Sequence, residues 1–233
     1  MDKSDILSYL DQVSEFEGEI ILERPLTENT KPVPLVPNVN ILNKLNDLSK
    51  IASTCEKCVL CQTRTNVVFG VGNPEARLMF VGEGPGADED RKGEPFVGRA
   101  GQLLDKMIVA MKFQRKDVYI ANIVKCRPPE NRNPLPDEVA NCFPYLNQQI
   151  EIIDPDVIVT LGLVAATNLL KIETKVSVKS LREKVHNLNG RPMVVTYHPA
   201  ALLRSSKFKA PAWQDLQYVM KMLSGEISWK AEV

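Results

Sequence analysis

Four of the five cysteines are spaced like metal ligands rather than like a disulfide framework. Cys55 and Cys58 form a Cys-x2-Cys pair, and Cys126 and Cys142 follow farther along the chain. Four thiolates suit either tetrahedral zinc or an iron–sulfur cluster. Zinc sites more often use two close Cys-x2-Cys pairs, so this spacing favours iron–sulfur. The alternative is that some of these residues are buried free cysteines, which is the role expected for Cys61.

A loop rich in glycine follows the first apolar run and is a second candidate for chemistry. Its sequence is Gly82-Glu83-Gly84-Pro85-Gly86, and its glycines allow the backbone to approach a ligand and present N–H groups to it. The acidic run Asp88-Glu89-Asp90 comes next, where a phosphate-binding loop would carry a lysine. The loop therefore indicates a neutral ligand, with an ordinary tight turn as the alternative.

Asn122 and His198 each follow another apolar run. Ligands of parallel sheets bind at the carboxyl ends of the strands, so we expect both side chains near the glycine-rich loop. Phe96, in a segment rich in glycine and proline before a predicted helix, is either a core residue or a stacking platform. His186, the other histidine, lies in a polar stretch and is expected to be solvated.

The elements that would position these residues alternate between strands and helices. Buried strands are predicted at 78–81, 118–121, 157–161 and 193–197, and helices at 41–55, 101–112, 136–153, 163–170 and 213–223. Pro144 is expected to kink or split the third of these helices. The alternation predicts a three-layer α/β/α sandwich around a four-stranded, mostly parallel sheet.

Charge and composition restrict the function only weakly. The 233 residues are 44% apolar and carry no formal net charge, so any contact with nucleic acid would need a local basic surface. The start of the sequence lacks the pattern of a signal peptide, and the longest apolar stretch, 157–166, is too short to span a bilayer. We therefore expect a cytoplasmic protein.

Residues 1–40 differ in character from the rest. An acidic start with a predicted short amphipathic helix near 6–16 gives way to four prolines, at 25, 32, 34 and 37. We interpret residues 1–40 as a flexible extension and 41–233 as the folded domain.

Taken in order, the motifs resemble those of the family-4, iron–sulfur uracil-DNA glycosylases. The segments 82–90 and 95–104 resemble the first signature, 122–132 the second and 198–204 the last. Cys55, Cys58, Cys126 and Cys142 match the cluster ligands of the family. The resemblance extends from about residue 48 to residue 223, and so leaves out residues 1–40.

The resemblance implies an enzyme of base excision repair with a structural 4Fe–4S cluster. Such an enzyme acts on uracil in single- or double-stranded DNA, flips the base out and hydrolyses its N-glycosidic bond, leaving an abasic site. Residues 41–233 would form the catalytic domain. We expect a monomer without strand-cleaving activity, because no lysine stands out as a Schiff-base nucleophile.

The resemblance also implies a set of residues around the flipped uracil. These are Gly82, Glu83, Gly84, Phe96, Asn122 and His198. Phe96 would stack on the base, and the amide of Asn122 would hydrogen-bond N3–H and O4, a pattern that cytosine reverses. His198 would donate a hydrogen bond to O2 as negative charge develops there.

The residue that activates water is less clear from the sequence. The best-known uracil glycosylases carry an aspartate two residues after the first glycine of the motif, where this chain has Gly84. Glu89 is the first candidate and Glu83 the second, for orienting water or stabilising the sugar cation. A solvated acidic face is the alternative for 88–90.

The resemblance assigns DNA contacts to two segments. Arg127 and Arg132 would touch phosphate, while Leu202, Leu203 and Arg204 would form an apolar wedge beside a cation.

Two other classes of protein share part of the pattern. A non-catalytic iron–sulfur protein that binds DNA or senses damage would keep the cysteines and arginines, but it gives no reason for Asn122 and His198 at adjoining strand ends. A zinc-stabilised nucleotide-binding protein is disfavoured by the missing lysine of the phosphate loop.

Overall fold

The structure, a computed structural model, describes residues 38–229. Its six strands form one sheet in the order β1-β3-β2-β4-β6-β5. The strands are β1 (Val71–Gly72), β2 (Leu78–Gly82), β3 (Tyr119–Asn122), β4 (Val157–Leu161), β5 (Val185–Leu188) and β6 (Arg191–Thr196). Strands β3, β2, β4 and β6 are parallel, whereas β1 and β5 pair antiparallel at the two edges.

The inner four strands are the four predicted from the sequence. Strands β2, β3 and β4 are buried along their whole length, which is why they read as continuous apolar runs. The sheet has two more strands than predicted, because the edge strands leave a weaker pattern. β1 has only two residues, and β5 is mostly half-buried or exposed and includes His186 and Asn187.

Eight helices accompany the sheet in the described part of the chain. They are α1 (Val39–Ser53), α2 (Ala87–Lys92), α3 (Arg99–Ala110), α4 (Pro136–Ile153), α5 (Leu163–Leu170), α6 (Val178–Arg182), α7 (Pro199–Arg204) and α8 (Lys209–Leu223). One core cluster joins α1, α4 and α5 to Met79 and Val81 of β2. The other joins α3, α7 and α8 to Leu78 and Phe80. Alternate residues of one strand thus enter two cores, which confirms the three-layer α/β/α class.

Helix α4 continues through Pro144, so the split that the sequence predicted as one of two outcomes does not occur. Proline removes one N–H donor, so the carbonyl of Ala140 loses its helical partner. Both residues are exposed, and water can bind that carbonyl instead.

The acidic run Asp88-Glu89-Asp90 forms the first turn of α2, a short helix absent from the sequence prediction. Carboxylates are favourable at a helix N-terminus because the backbone N–H groups there are unpaired. Asp90 is buried, and its Oδ1 accepts hydrogen bonds from the N–H groups of Thr65 and Asn66. At least this member of the run is structural rather than solvated.

The predicted helix near 6–16 and nearly all of the predicted extension lie outside the described residues. The folded domain was predicted to begin at residue 41, and α1 begins at Val39. Between residues 38 and 229, no helix is both long enough and apolar enough to cross a membrane.

Candidate active site and cysteine site

The ends of β2 and β3 bring Gly82, Phe96 and Asn122 into contact. Gly82 and Asn122 are register partners in the parallel pair. A Cβ atom built on Gly82 would lie 2.6 Å from Phe96 Cζ and would also clash with Asn122 Oδ1. Glycine is therefore required at this position, and the two side chains that the sequence predicted for a base pocket meet above it.

Asn122 carries an unpaired acceptor in the interior. The residue is 1% exposed, and its Oδ1 has no hydrogen-bond partner among the described residues. A buried acceptor without a donor costs about 1–3 kcal/mol, so native structures rarely keep one without a purpose. The arrangement suits a ligand that brings an N–H donor to this oxygen.

Phe96 is buried and has a backbone φ of 53°, in the left-handed region that non-glycine residues rarely adopt. Neighbouring contacts hold this conformation. Arg115 Nη2 donates to the carbonyl oxygen of Pro95, and the N–H of Val97 donates to the carboxylate of Glu89 at 2.8 Å. Strained residues cluster at functional sites when the surroundings fix them, and Phe96 fits that description.

The ring of His198 lies beside that of Phe96, with a distance of 5.5 Å between the centroids. His198 caps the N-terminus of α7: its Nδ1 accepts a hydrogen bond from the N–H of Ala200 at 3.1 Å. Burial, and then the positive charge of Arg204, lower the pKa of His198 to about 4. The imidazole is therefore neutral at pH 7 with its proton on Nε2, which leaves that atom as a hydrogen-bond donor.

The two candidate carboxylates differ in what they bind. Glu89 accepts hydrogen bonds from three backbone N–H groups, those of Gly86 (3.2 Å), Val97 (2.8 Å) and Gly98 (2.9 Å). It thereby joins the start of α2 to the loop that carries Phe96. Glu83 is half-buried, and its carboxylate has no hydrogen-bond partner within residues 38–229; burial raises its pKa above the usual range.

The four cysteines of the predicted metal site line one cavity. Its wall also includes Arg64, Lys125 and Tyr145, whereas Cys61 is not part of it. No group of three or more His, Cys, Asp or Glu side chains in the described region could hold a metal ion directly. Four thiols around one cavity are a donor set from which either zinc or an iron–sulfur cluster could be bound.

Two cations oppose the effect of burial on these thiols. Burial raises the pKa of Cys126 to about 11, although Arg64 Nη1, 3.5 Å from its Sγ, acts in the opposite direction. Burial also raises the pKa of Cys142, against the charge of Lys125. A bound metal would favour the thiolates far more strongly than these side chains. Neither Arg64 nor Lys125 belongs to a spacing pattern of metal ligands, so the sequence indicates no role for them.

The predicted DNA contacts have different environments. Arg204 is exposed and Leu203 is half-buried, but Leu202 is only 4% exposed and packs in the core with Phe96. Leu202 therefore lies in the interior, as an ordinary helix residue would, and only Leu203 is left for the predicted wedge. Arg127 is half-buried, with its Nε bonded to the side chain of Asn131.

Arg132 is engaged in an intramolecular ion pair. Its Nη1 and Nη2 donate to the two carboxylate oxygens of Glu138, at 2.8 and 2.6 Å. Glu138 is buried, and it also accepts the N–H of Leu135 at the start of α4. The ion pair anchors the loop before α4, and a phosphate contact by Arg132 stays a prediction.

Comparison with known proteins agrees with this geometry. Residues 69–217 match the model of the uracil DNA glycosylase superfamily, a segment that contains Gly82, Phe96, Asn122 and His198. Among curated proteins, a type-4 uracil-DNA glycosylase of Thermotoga maritima is 45% identical over 175 residues, which cover 74% of this chain and 91% of that protein.

A second relative, the type-4 uracil-DNA glycosylase of Archaeoglobus fulgidus, is 47% identical over 172 residues, covering 71% of this chain and 86% of its own length. A type-5 uracil-DNA glycosylase of Pyrobaculum aerophilum is more distant, at 34% identity over 146 residues. The resemblance predicted from the motifs is confirmed. The chain belongs to the uracil DNA glycosylase superfamily.

Proposed function

We propose that this protein is a monofunctional uracil-DNA glycosylase that extrudes uracil from DNA and hydrolyses its N-glycosidic bond. The observation that carries the proposal is the unpaired, buried Oδ1 of Asn122, which lies over Gly82 as the ring of Phe96 does. An aromatic face combined with a fixed amide oxygen suits a planar base with an N–H on its edge.

Asn122 selects uracil by its pattern of donors and acceptors. Uracil presents a donor at N3 and an acceptor at O4, which complement Oδ1 and Nδ2 of the amide. Cytosine presents an acceptor at N3 and a donor at N4, so it would leave the buried Oδ1 unpaired. Phe96 adds stacking on the base, worth about 1–3 kcal/mol in comparable sites.

His198 assists departure of the base. When the C1′–N1 bond breaks, its electron pair stays with uracil, and negative charge spreads to O2. The neutral imidazole donates Nε2–H toward that charge, and its low pKa keeps the ring from taking up a second proton at Nδ1 in the ground state. Water then bonds to C1′, losing a proton to solvent, and an abasic site remains.

Two carboxylates remain candidates for orienting that water or stabilising the sugar cation. From the sequence, Glu89 is the first candidate and Glu83 the second. The contacts favour the reverse order, because Glu89 already accepts three backbone hydrogen bonds and the carboxylate of Glu83 is free to bind water.

DNA contacts and the metal group complete the proposal. Leu203 at the exposed side of α7 would enter the duplex, with Arg204 on a neighbouring phosphate. Cys55, Cys58, Cys126 and Cys142 would hold a 4Fe–4S cluster, whose contribution would be structural. It would join the segment after α1 to the segment after β3 and to α4, with no part in cleavage of the glycosidic bond.

A labelled oligonucleotide with one uracil tests the proposed activity. We expect cleavage at that position only after alkali, which cuts abasic sites, and no cleavage when thymine or cytosine replaces uracil. Single- and double-stranded substrates are compared in parallel. Failure to excise uracil by protein with a full complement of iron would favour the non-catalytic DNA-binding alternative.

A further inference from the structure

Lys125 is a buried lysine without a carboxylate partner. It is 1% exposed, and no Asp or Glu of the described chain forms a salt bridge with it. Its Nζ donates to the backbone oxygen of Asn122 at 3.0 Å and to Gln149 Oε1 at 2.5 Å. A buried ammonium group is costly unless it is well hydrogen-bonded, so these two acceptors define its place.

The bond to Asn122 completes a clamp on one peptide group. The peptide between Asn122 and Ile123 has its carbonyl oxygen bound by Lys125, and its N–H donates to the carbonyl oxygen of Gly82 at 2.9 Å. Both polar atoms of this peptide plane are therefore fixed. Since the plane begins at the Cα of Asn122, its orientation determines where the Asn122 side chain leaves the backbone.

The far side of the lysine is fixed as well. Gln149 Nε2 donates to the carbonyl oxygen of Phe69 at 3.0 Å and to Tyr119 Oη at 3.1 Å, which fixes the orientation of the Gln149 amide. The backbone N–H of Lys125 donates to Cys142 Sγ at 3.2 Å. One residue thus contacts both a predicted cluster ligand and the residue that reads the base.

We infer that Lys125 is a positioning residue for uracil recognition: it holds the peptide after Asn122 so that the Asn122 amide faces the edge of the base. This inference rests on the proposed function and assigns to a core lysine part of the selectivity of the enzyme. Lys125 does not touch the substrate, and its effect passes through Asn122.

Lys125→Met tests the inference, because methionine is apolar and of similar length and lacks the donor. We expect the rate of uracil excision under single-turnover conditions to fall at least roughly tenfold, as for other supporting residues of a site. Inhibition by free uracil should weaken by a similar factor, while iron content and thermal stability are measured alongside. The matched control is Tyr119→Phe, which removes only one of the two hydrogen bonds that orient the Gln149 amide and leaves the bond to Phe69 in place. Lys125 keeps both of its acceptors in this variant, so the excision rate and the inhibition by uracil should stay at the wild-type level.

The outcomes are separable. Absence of excision by the wild-type protein would refute the proposed function itself. If the wild type is active, an unchanged excision rate and unchanged uracil inhibition in Lys125→Met would overturn the inference. Losses in Tyr119→Phe as large as those in Lys125→Met would also overturn it. So would a slower rate in Lys125→Met that follows its loss of iron while inhibition by uracil stays normal. If Lys125→Met does not fold, Gln149→Leu removes one acceptor of the lysine, and an unchanged uracil inhibition constant there would overturn it.

Discussion

The rings of Phe96 and His198 lie with their centroids 5.5 Å apart and their planes inclined at 33°. Phe96 precedes α3 and His198 begins α7, so the contact joins two helices that approach the same end of the sheet. The ring proposed to stack on the base and the ring proposed to donate Nε2–H to it are therefore in direct contact. Binding of the base and stabilisation of its departure are expected to depend on each other.

Titration of His198 should not affect the rate of uracil excision as the pH passes through 6.5, the usual pKa of histidine. Burial and Arg204 lower the pKa of His198 to about 4, so the imidazole stays neutral down to that pH. NMR titration of the imidazole groups measures this directly, and His186→Gln identifies which of the two histidines titrates. Protonation of His198 near pH 6.5 would contradict the electrostatic role.

The same shift has a consequence for stability. Between about pH 4 and 6.5 the unfolded chain binds a proton at His198 that the folded protein does not. The contribution of His198 to the free energy of unfolding therefore decreases as the pH is lowered through this range. Chemical denaturation should show that the free energy of unfolding of His198→Asn decreases less between pH 6.5 and 4 than that of the wild type. The same pH dependence in both proteins would contradict the lowered pKa of His198.

Asn122→Ala should weaken base recognition while the protein stays folded. Two hydrogen bonds to the base are lost, about 3 kcal/mol, which corresponds to roughly a hundredfold slower excision. The buried Oδ1 is unpaired in the free protein, so its removal is not expected to lower stability. The measurements are excision rate and thermal unfolding. Asn46→Ala, at an exposed position on α1, is the control with normal activity.

Most of the sheet and the position of the site could be predicted from the sequence. Parallel strands buried on both faces are continuous apolar runs, and β2, β3 and β4 have that pattern. The polar residues that follow such runs lie at one edge of the sheet, which is how Asn122 and His198 were found.

Contacts between distant segments could not be predicted, because they leave no periodic pattern. Glu89 binds the N–H groups of Val97 and Gly98, and Lys125 binds the side chain of Gln149, through hydrogen bonds that no spacing rule describes. The burial of Leu202 depends on the rotation of a short helix, and the sequence Ala-Ala-Leu-Leu before Arg204 does not indicate which face turns inward.

Glu83→Gln and Glu89→Gln should separate water activation from loop support. Burial raises the pKa of Glu83 above its usual 4.5, whereas His198 has a pKa of about 4. If the ionised carboxylate of Glu83 is required, excision should slow as the pH falls through the raised pKa of Glu83, before His198 takes up a proton. Glu83→Gln should lower the rate and remove this limb of the pH profile at unchanged stability. Glu89→Gln should lower thermal stability, by about 1–3 kcal/mol, because an amide holds the three N–H groups less well. If Glu89→Gln excises uracil slowly but keeps its thermal stability, and Glu83→Gln has a normal excision rate, then Glu89 is the residue that orients the water.

Cys126→Ala should lose bound iron and unfold at lower temperature, because it removes one of the four proposed ligands, which lie on three segments of the chain. Iron content and visible absorbance of the purified protein report the first effect, and thermal unfolding reports the second. Cys61→Ala is the matched control, since Cys61 does not line the cavity, and it should keep both properties. Full iron content in Cys126→Ala would exclude it as a ligand.

Leu202→Ala and Leu203→Ala should differ although the residues are adjacent and chemically identical. Leu202 is 4% exposed in the core, so its truncation should destabilise the fold by about 2–5 kcal/mol. Leu203 is half-buried at the surface, and its loss should instead slow excision from duplex DNA by roughly tenfold, equivalent to about 1.4 kcal/mol of lost support for the open base step. Single-stranded DNA needs no wedge, so Leu203→Ala should process it at nearly the normal rate. Equal loss on both substrates would show that Leu203 supports the pocket and does not open the duplex.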